Sequence, residues 1–480
     1  MLRMILRPSL RVLLLASALG CVASAASADP ADPTLRALGR AVARSVLDRE
    51  VVEAIEVDGE VRILAVFASE PGAAASARSD AARARLAEMG GYRPGGRFAH
   101  IPALVGEVDA RALAALVADP FVLRVSIDRR VTAQLAQSVP LVNLDWMRAG
   151  GFTGSGATVA IVDTGVDRTH ADLAGSVIDE YCYCDDGLVT PFGCCPDGSD
   201  EQGGVGSAQD DHGHGTRVAG IVTSDGVHAD LGGAPDAVLV SVKVLDSSGG
   251  GYVSDVLLGL GWVRTNHPGI EVLNMSLGSG LYVGDCDEAD ADTMAYALAV
   301  DQLRATGTLV VAGSGNNGSG TQMIAPACVA DAISVGAVWD QNLGSQSWFG
   351  CNDPTTTPDQ VTCWSNSSTT TDILAPGARM TSSKLNGTTV TLAGTSYATP
   401  IVSACAAILA DEYPSATLAD LETALTTSSV SVLDAKSGLS YPRVDCVAAY
   451  HALPEPGSLL LFGSGAALVS PLARRRPHHA

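Results

Sequence analysis

The residues best placed to do chemistry lie in a short stretch at 392–400, which reads Leu-Ala-Gly-Thr-Ser-Tyr-Ala-Thr-Pro. An apolar run at 401–409 follows it directly, so the pattern predicts an extended segment, a turn of small residues and then a buried helix. Ser396 would lie near the helix N-terminus, where unpaired backbone N–H groups favour developing negative charge. This position suits a nucleophile, although a serine there is also an ordinary N-cap.

Two further stretches carry an acid and an imidazole. Residues 159–167 read Val-Ala-Ile-Val-Asp-Thr-Gly-Val-Asp, an apolar strand that delivers Asp163 to its carboxyl end. Residues 211–220 read Asp-His-Gly-His-Gly-Thr-Arg-Val-Ala-Gly and place His214 at the start of a helix of small residues. The alternatives are a cap at the strand end for Asp163 and a metal site formed by the two histidines, His212 and His214, with Asp210 and Asp211.

Together, these three side chains could perform acyl transfer. A serine hydroxyl is a poor nucleophile until an imidazole takes its proton, and the imidazole needs an acid that fixes its tautomer. The chain order Asp, His, Ser and the three motifs resemble the signatures of the subtilisin-like serine peptidases over about 135–452. The resemblance implies that Asp163 orients His214, that His214 is the general base and then acid, and that Ser396 attacks the scissile carbonyl.

The same resemblance assigns an oxyanion hole and a substrate cleft. Residues 310–318 read Val-Val-Ala-Gly-Ser-Gly-Asn-Asn-Gly and give the oxyanion role to Asn316, which could otherwise be a turn residue in a Gly-rich loop. Gly313 and Asn317 would flank the first specificity pocket; because neither is charged, we expect a preference for bulky apolar side chains. The peptide is expected to add as a strand between two edges, formed by Ser276, Leu277 and Gly278 and by Gly249 to Tyr252.

Alternating strand and helix patterns predict how these residues are positioned. Between 140 and 452 they predict an α/β fold, a mostly parallel sheet with helices on both faces and ligands at the carboxyl ends of the strands. The expected strands are 157–162, 237–244, 272–275, 309–312 and 332–338, and the expected helices are 215–223, 253–264, 293–305, 400–410 and 418–427.

Residues 29–135 are predicted to form a separate module. Strand-like runs at 61–68, 97–105 and 121–127 and helices at 73–89 and 109–118 suggest a ferredoxin-like α+β sandwich. The module resembles the inhibitory propeptide of the family, which implies an intramolecular inhibitor; an ordinary accessory domain is the alternative. The preferred maturation bond is Leu135–Ala136, so the peptidase domain would span 136–452.

Composition and the N-terminus indicate an exported protein. The 480 residues carry a formal net charge of -22, which argues against nucleic acid as a partner. Residues 1–28 predict a signal peptide, with arginines at 3, 7 and 11, an apolar run at 12–18 and Ala-Ser-Ala before Asp29.

The C-terminal residues 453–480 carry a second targeting pattern. Pro454-Glu455-Pro456, the apolar run 458–473 and the arginines 474–476 resemble the PEP-CTERM sorting signal, which is processed by an exosortase. The resemblance implies cell-surface or extracellular delivery with transient anchoring in the inner membrane; a buried terminal helix is the alternative.

Cysteines are numerous, as export permits. Of the 11, Cys21 lies in the predicted signal, and the four between 182 and 195 favour two disulfides in an insertion over a metal cluster. This insertion, at 176–209, is expected to border the cleft. Cys286 and Cys328 resemble a bridged pair of some relatives, Cys351 and Cys363 are expected to close a loop, and Cys405 and Cys446 are expected to be buried thiols.

Catalysis by these residues requires no cofactor. Gln137 and Asp172, in His-Ala-Asp-Leu, resemble ligands of a structural calcium, an ion that prefers oxygen donors. Two residues depart from the family pattern, since Tyr397 stands where many relatives have Met and Arg217 where His is common. The alternative function is a non-catalytic peptide-binding surface protein on the same fold, which would have no need of Asp163, His214, Asn316 and Ser396 together.

Overall fold

The structure, a computed structural model, describes residues 33–69, 74–128, 130–133, 140–185, 193–427 and 430–454. Within the first two ranges, one small sheet packs against helices; its elements are α1 (Pro33–Ala43), α2 (Arg49–Asp58), β1 (Glu60–Phe67), α3 (Ala77–Met89), β2 (Tyr92–Pro94), β3 (Ala103–Asp109), α4 (Ala110–Val117) and β4 (Val122–Ile127). The strand order is β2-β3-β1-β4 with antiparallel neighbours. With α3 and α4 as crossovers, this N-terminal module has a ferredoxin-like topology.

Two details of this module differ from the sequence predictions. Helices α1 and α2 were not predicted, although both contribute to the module's core, through Leu38 and Val51 among others. The run 97–105 is not one strand, because residues 95–102 form a connection and β3 begins only at Ala103. Pro102 lacks the N–H that a ladder requires, which explains why pairing starts after it.

The rest of the chain alternates strands and helices. Its elements are β5 (Arg130–Ala133), α5 (Leu144–Ala149), β6 (Thr158–Asp163), β7 (Val177–Tyr183), β8 (Glu201–Gly203), α6 (His214–Thr223), β9 (Val238–Lys243), β10 (Gly250–Tyr252), α7 (Val253–Asn266), β11 (Val272–Met275), β12 (Leu277–Val283), α8 (Ala291–Arg304), β13 (Leu309–Gly313), β14 (Gln322–Ala325), β15 (Ile333–Val338), β16 (Gln346–Trp348), β17 (Cys351–Asp353), β18 (Ile373–Pro376), β19 (Ala378–Lys384), β20 (Thr388–Ala393), α9 (Thr395–Glu412), α10 (Leu418–Thr427), β21 (Val430–Leu433), β22 (Ser440–Arg443) and α11 (Cys446–Ala452).

A ten-stranded sheet organises this part, in the order β21-β22-β18-β15-β13-β11-β6-β9-β7-β8. Its pairs are parallel except at the two ends, where β21–β22 and β7–β8 are antiparallel. Side chains alternate across β6, so that Val159 and Ile161 join the core that holds α6 and α9, while Ala160 and Val162 join the core that holds α7 and α8. The predicted mostly parallel sheet with helices on both faces is confirmed.

Five disulfides lie in the described residues. Cys182–Cys195 and Cys184–Cys194 confirm two bridges in the insertion, and Cys286–Cys328 and Cys351–Cys363 confirm two more predictions. The prediction of buried thiols at Cys405 and Cys446 is wrong, because these residues form a bridge that joins α9 to α11.

Within the described ranges, none of the helices has the length and apolar character that spanning a bilayer requires. The predicted signal, Leu135–Ala136 and the C-terminal apolar run lie outside the described residues.

Candidate active site

The carboxylate of Asp163 and the imidazole of His214 form the buried half of the site. Asp163 is the last residue of β6, and His214 is the first residue of α6. His214 Nδ1 lies 2.6 Å from Asp163 Oδ1, and both side chains are inaccessible to solvent. The N–H of Thr164 donates to the same carboxylate oxygen at 2.7 Å. This contact makes Nδ1 the protonated ring nitrogen, so Nε2 is the one that can accept a proton.

Asp210 holds the loop that carries His214. Its buried carboxylate accepts hydrogen bonds from the backbone of His212, Gly213 and Thr216 and from the hydroxyls of Thr164 and Thr216. The Thr164 hydroxyl in turn accepts the N–H of Gly215 at 2.9 Å. Sequence reasoning considered Asp210 only as a possible metal ligand, and its position two residues before the His doublet was the available signal.

Lys243 is a second positioning residue that sequence reasoning missed. It ends β9, beside Asp163 in the register, and its side chain is fully buried. Its Nζ donates to the carbonyls of Thr164 and Leu245 at 3.1 and 2.8 Å and to Asp211 at 2.7 Å. Three acceptors satisfy the three N–H groups of the ammonium, which stabilises the strand end that carries Asp163.

Ser396 is the second residue of α9, so its predicted alternative role as an N-cap is wrong; Gly394 occupies that position. The helix begins at Thr395, five residues before the predicted start at Pro400. The hydroxyl of Ser396 donates to the carbonyl of Ser276 at 3.0 Å. The imidazole of His214 lies against Tyr397, the next residue, with 5.8 Å between the ring centroids.

Asn316 is oriented by α9 itself. Its Oδ1 accepts the N–H of Thr395 at 2.8 Å, and the hydroxyl of Thr395 accepts the N–H of Gly315 at 3.1 Å. With its oxygen held in this way, the Asn316 amide has Nδ2 as its donor. Nδ2 and the backbone N–H of Ser396 are therefore the two groups suited to an oxyanion.

The predicted substrate edges lie on either side of a strand from the same chain. In one four-stranded sheet, of order β10-β5-β12-β14, β5 lies between the two edges. Gly250 pairs with Thr132 and Tyr252 with Arg130, while Leu277 pairs with Ala133 and Gly278 with Thr132, all antiparallel. Ser276 directly precedes this second edge. Residues 130–133 thus occupy the position expected of a bound peptide.

A cavity of about 250 Å³ opens beside Ser396. Gly313, Asn317 and Ile324 line it together with Ser276 and Asn316, and none of the described residues that line it is charged. Gly249 lies apart from this cavity, against the ring of His212. Burial lowers the pKa of His212, and the nearby charges of His214 and Arg217 lower it further.

The N-terminal module caps two helices of the peptidase part. Asp128 accepts the N–H of Ser254 at 2.9 Å, at the start of α7, whose N-cap residue makes no side-chain cap of its own. The hydroxyl of Ser126 accepts the N–H of Ala291 at 2.8 Å, at the start of α8. A carboxylate and a hydroxyl at helix N-termini are favourable, since each satisfies an otherwise unpaired donor.

The donors around Asp172 fit a cation poorly. Asp172 accepts the backbone N–H groups of His228 and Ala229 and the hydroxyl of Ser383. A calcium site would present oxygens there rather than N–H groups. Gln137 lies outside the described residues, and within the described ranges no three His, Cys, Asp or Glu side chains are grouped to hold a metal ion.

The two departures from the family pattern are neighbours. Tyr397 is buried, and burial raises its pKa well above the usual value, while the charge of Arg217 offsets part of that rise. Arg217 is buried too and lies one helical turn after His214. The two substituted residues therefore pack together behind the imidazole.

The chain is similar in sequence to known peptidases. The model of the subtilase family, peptidase family S8, matches residues 154–465. The alkaline protease of Alkalihalobacillus alcalophilus is 35% identical over 327 residues, which cover 66% of this chain and 71% of the relative. Subtilisin E of Bacillus subtilis (strain 168) is 31% identical over 362 residues, which cover 72% and 80%.

Among solved structures, a cold adapted subtilisin-like serine proteinase aligns with a TM-score of 0.47 at 27% identity, covering 61% of this chain and 89% of the other. The family match and the relatives establish the class: the chain belongs to the subtilase family. It is a serine endopeptidase.

Proposed function

We propose that the protein hydrolyses peptide bonds through an acyl-enzyme on Ser396. As Ser396 Oγ bonds to the scissile carbonyl carbon, its proton passes to His214 Nε2, and Asp163 stabilises the resulting imidazolium. Asn316 Nδ2 and the N–H of Ser396 stabilise the oxyanion. His214 then gives the proton to the leaving amine, and water, deprotonated by His214, releases the acid and restores Ser396. The 2.6 Å contact between His214 and Asp163 supports these roles.

The substrate is a protein or peptide that binds as an antiparallel strand between β10 and β12. The observation that carries this proposal is β5, which already pairs with both edges. The cavity beside Ser396 has no charged residue in its described lining, and we assign to it a bulky apolar side chain before the scissile bond.

The N-terminal module acts as an intramolecular inhibitor that the enzyme itself removes. Its chain runs from the helix caps at Ser126 and Asp128 directly into β5, and β5 fills the cleft. A module that holds the cleft in this way blocks it until the connection is cut and the two parts separate. The maturation bond lies beyond Ala133, with Leu135–Ala136 as the prediction.

Export by the N-terminal signal, exosortase processing of the tail and a structural calcium at Gln137 and Asp172 stay predictions. The donors around Asp172 give calcium no support.

The intact masses of wild type and Ser396→Ala, purified from an oxidising host, test the proposal. We expect the wild type to lose the residues before about 136, while Ser396→Ala keeps them. If both proteins keep the module, an added protease is used to remove it before labelling with a fluorophosphonate. Failure to label Ser396 of the wild type after this removal favours the rival binding function, whereas labelling shows that another protease performs the maturation.

A further inference from the structure

A guanidinium of the N-terminal module is seated in the peptidase domain. Arg62, on β1, donates to Ser254 Oγ at 3.0 Å and pairs with Asp185, which lies two residues after the end of β7. Its Cζ lies 4.2 Å from the centroid of the Tyr252 ring. Within the module it also donates to Asp128 at 2.6 Å, and its side chain is only 11% exposed.

The peptidase side of this site is acidic and buried. Asp255, in the first turn of α7, accepts the N–H of Asp185 at 3.1 Å and is itself buried. Burial raises the pKa of Asp255 well above its usual range, and the charge of Arg62 lowers it. Burial alone would lower the pKa of Arg62, but the nearby carboxylates of Asp128, Asp255 and Asp185 raise it by more, so that the pKa lies above its usual value. A bound cation therefore stabilises this corner of the peptidase domain.

The place of the site relative to the cleft is defined by register. Tyr252, whose ring face covers the guanidinium, is the residue of β10 that pairs with Arg130. Asp128, which shares Arg62 with the site, is five residues upstream of Ala133, the residue opposite Leu277. The site thus lies at the end of the strand-binding cleft that holds the N-terminal residue of β5, Arg130.

We infer that Tyr252, Ser254, Asp185 and Asp255 form a guanidinium-binding site that takes an arginine side chain of a protein substrate once the module has left. The inference rests on the proposed release of the module. A planar guanidinium suits a site that combines an aromatic face with a carboxylate and a hydroxyl, whereas the compact ammonium of lysine matches it less well.

Chemical rescue tests the site without catalysis. In the Ser396→Ala chain, Arg62→Ala should lower the unfolding temperature, and millimolar methylguanidinium should restore several degrees while methylammonium restores none. Adding Asp185→Asn should abolish the rescue. Arg93→Ala, which removes an arginine from the same module that is 60% exposed, should show no rescue. Equal rescue by the two cations, or rescue that survives Asp185→Asn, would overturn the proposed guanidinium-binding site.

Hydrolysis of two peptides tests the substrate role and needs no Arg62 variant. Both span residues 126–138 with Arg129→Gln and Arg130→Gln; one carries Asp128→Arg and the other Asp128→Gln. We expect wild type to prefer the arginine peptide about tenfold in kcat/KM, the size of one charge-assisted contact. The ratio should approach one in Asp185→Asn and persist in Glu288→Gln, a change at an exposed acid.

A ratio near one in wild type would overturn the substrate role. If wild type cuts neither peptide, the proposed function fails, and the rescue measurement alone decides the site.

Discussion

Ser276 and Ser396 bind each other through two reciprocal hydrogen bonds. Ser276 Oγ donates to the carbonyl of Ser396 at 2.6 Å, and Ser396 Oγ donates to the carbonyl of Ser276 at 3.0 Å. The first bond is possible because Pro400, inside α9, has no N–H for the carbonyl four residues earlier. The helix thus leaves the carbonyl of Ser396 without the N–H donor of the residue four positions later, and the hydroxyl of Ser276, the residue before β12, donates to it instead.

Removing this donor should destabilise the fold. Ser276→Ala leaves a buried carbonyl without its donor, so we expect a loss of about 1–3 kcal/mol in the free energy of unfolding. Adding Pro400→Ala supplies an N–H and should recover part of the loss. Urea unfolding in the Ser396→Ala background, which prevents self-digestion, measures both variants. Equal stability of Ser276→Ala and its parent would contradict the explanation.

Loss of the Asn316 amide should slow the chemical step. Asn316→Ala is expected to lower kcat about 10²–10³-fold with little change in KM, the size of effect known for such a donor in subtilisin. Steady-state kinetics on a peptide substrate check this, with Asn342→Ala at an exposed position as the control. A change confined to KM would show that Asn316 binds the ground state instead.

Asp210 should matter for both stability and activity. Asp210→Ala leaves three backbone N–H groups and two hydroxyls without their acceptor, and a buried donor left unsatisfied costs about 1–3 kcal/mol in the free energy of unfolding. Asp210→Asn keeps one acceptor oxygen and should lose less. Fluorophosphonate labelling of Ser396, compared with the unfolding midpoint, separates a misplaced His214 from global unfolding. Full labelling of Asp210→Ala would refute the positioning role.

The ionised carboxylate of Asp172 should stabilise the folded protein, and this stabilisation should be lost in acid. Burial alone would raise its pKa, but the N–H groups of His228 and Ala229 and the hydroxyl of Ser383 lower it below the ordinary value of 3.8. Because the pKa is lower in the folded state than in the unfolded state, the carboxylate stabilises the fold fully at pH values above the unfolded-state pKa. This stabilisation is lost as the pH falls through the folded-state pKa. The difference in unfolding free energy between wild type and Asp172→Asn should therefore be constant above about pH 5 and shrink below pH 3.8.

Glu288→Gln, at an exposed acid, provides the control for this titration. A difference that grows as the pH falls would reverse the assigned sign. Chelation of calcium measured on the same proteins would test the remaining metal prediction independently.

Much of the site could be predicted because the apolar runs are long and their ends converge. Buried parallel strands are continuous apolar segments, and Asp163, at the end of β6, follows such a run. Asn316 follows the end of β13, and Ser396 precedes the apolar run of α9. The residue types at the ends of these runs are those that acyl transfer needs, so local patterns suffice to identify them.

Contacts between distant segments could not be predicted in this way. The pair of Arg62 and Asp185 joins positions 123 residues apart, and the bridge between Cys405 and Cys446 depends on how α9 and α11 pack. Helices α1 and α2 were missed because their burial depends on the sheet beside them.

The sequence by itself determined the fold class, the family resemblance and the four residues proposed for catalysis, since these depend on residue type and local periodicity. Only the tertiary structure decided that β5 lies in the cleft, that Asp210 and Lys243 hold the strand and helix ends, and that Arg62 sits among acids of the peptidase domain. The physical reason is that hydrogen bonds, ion pairs and strand register between separate segments depend on distances in space, which spacing along the chain does not encode.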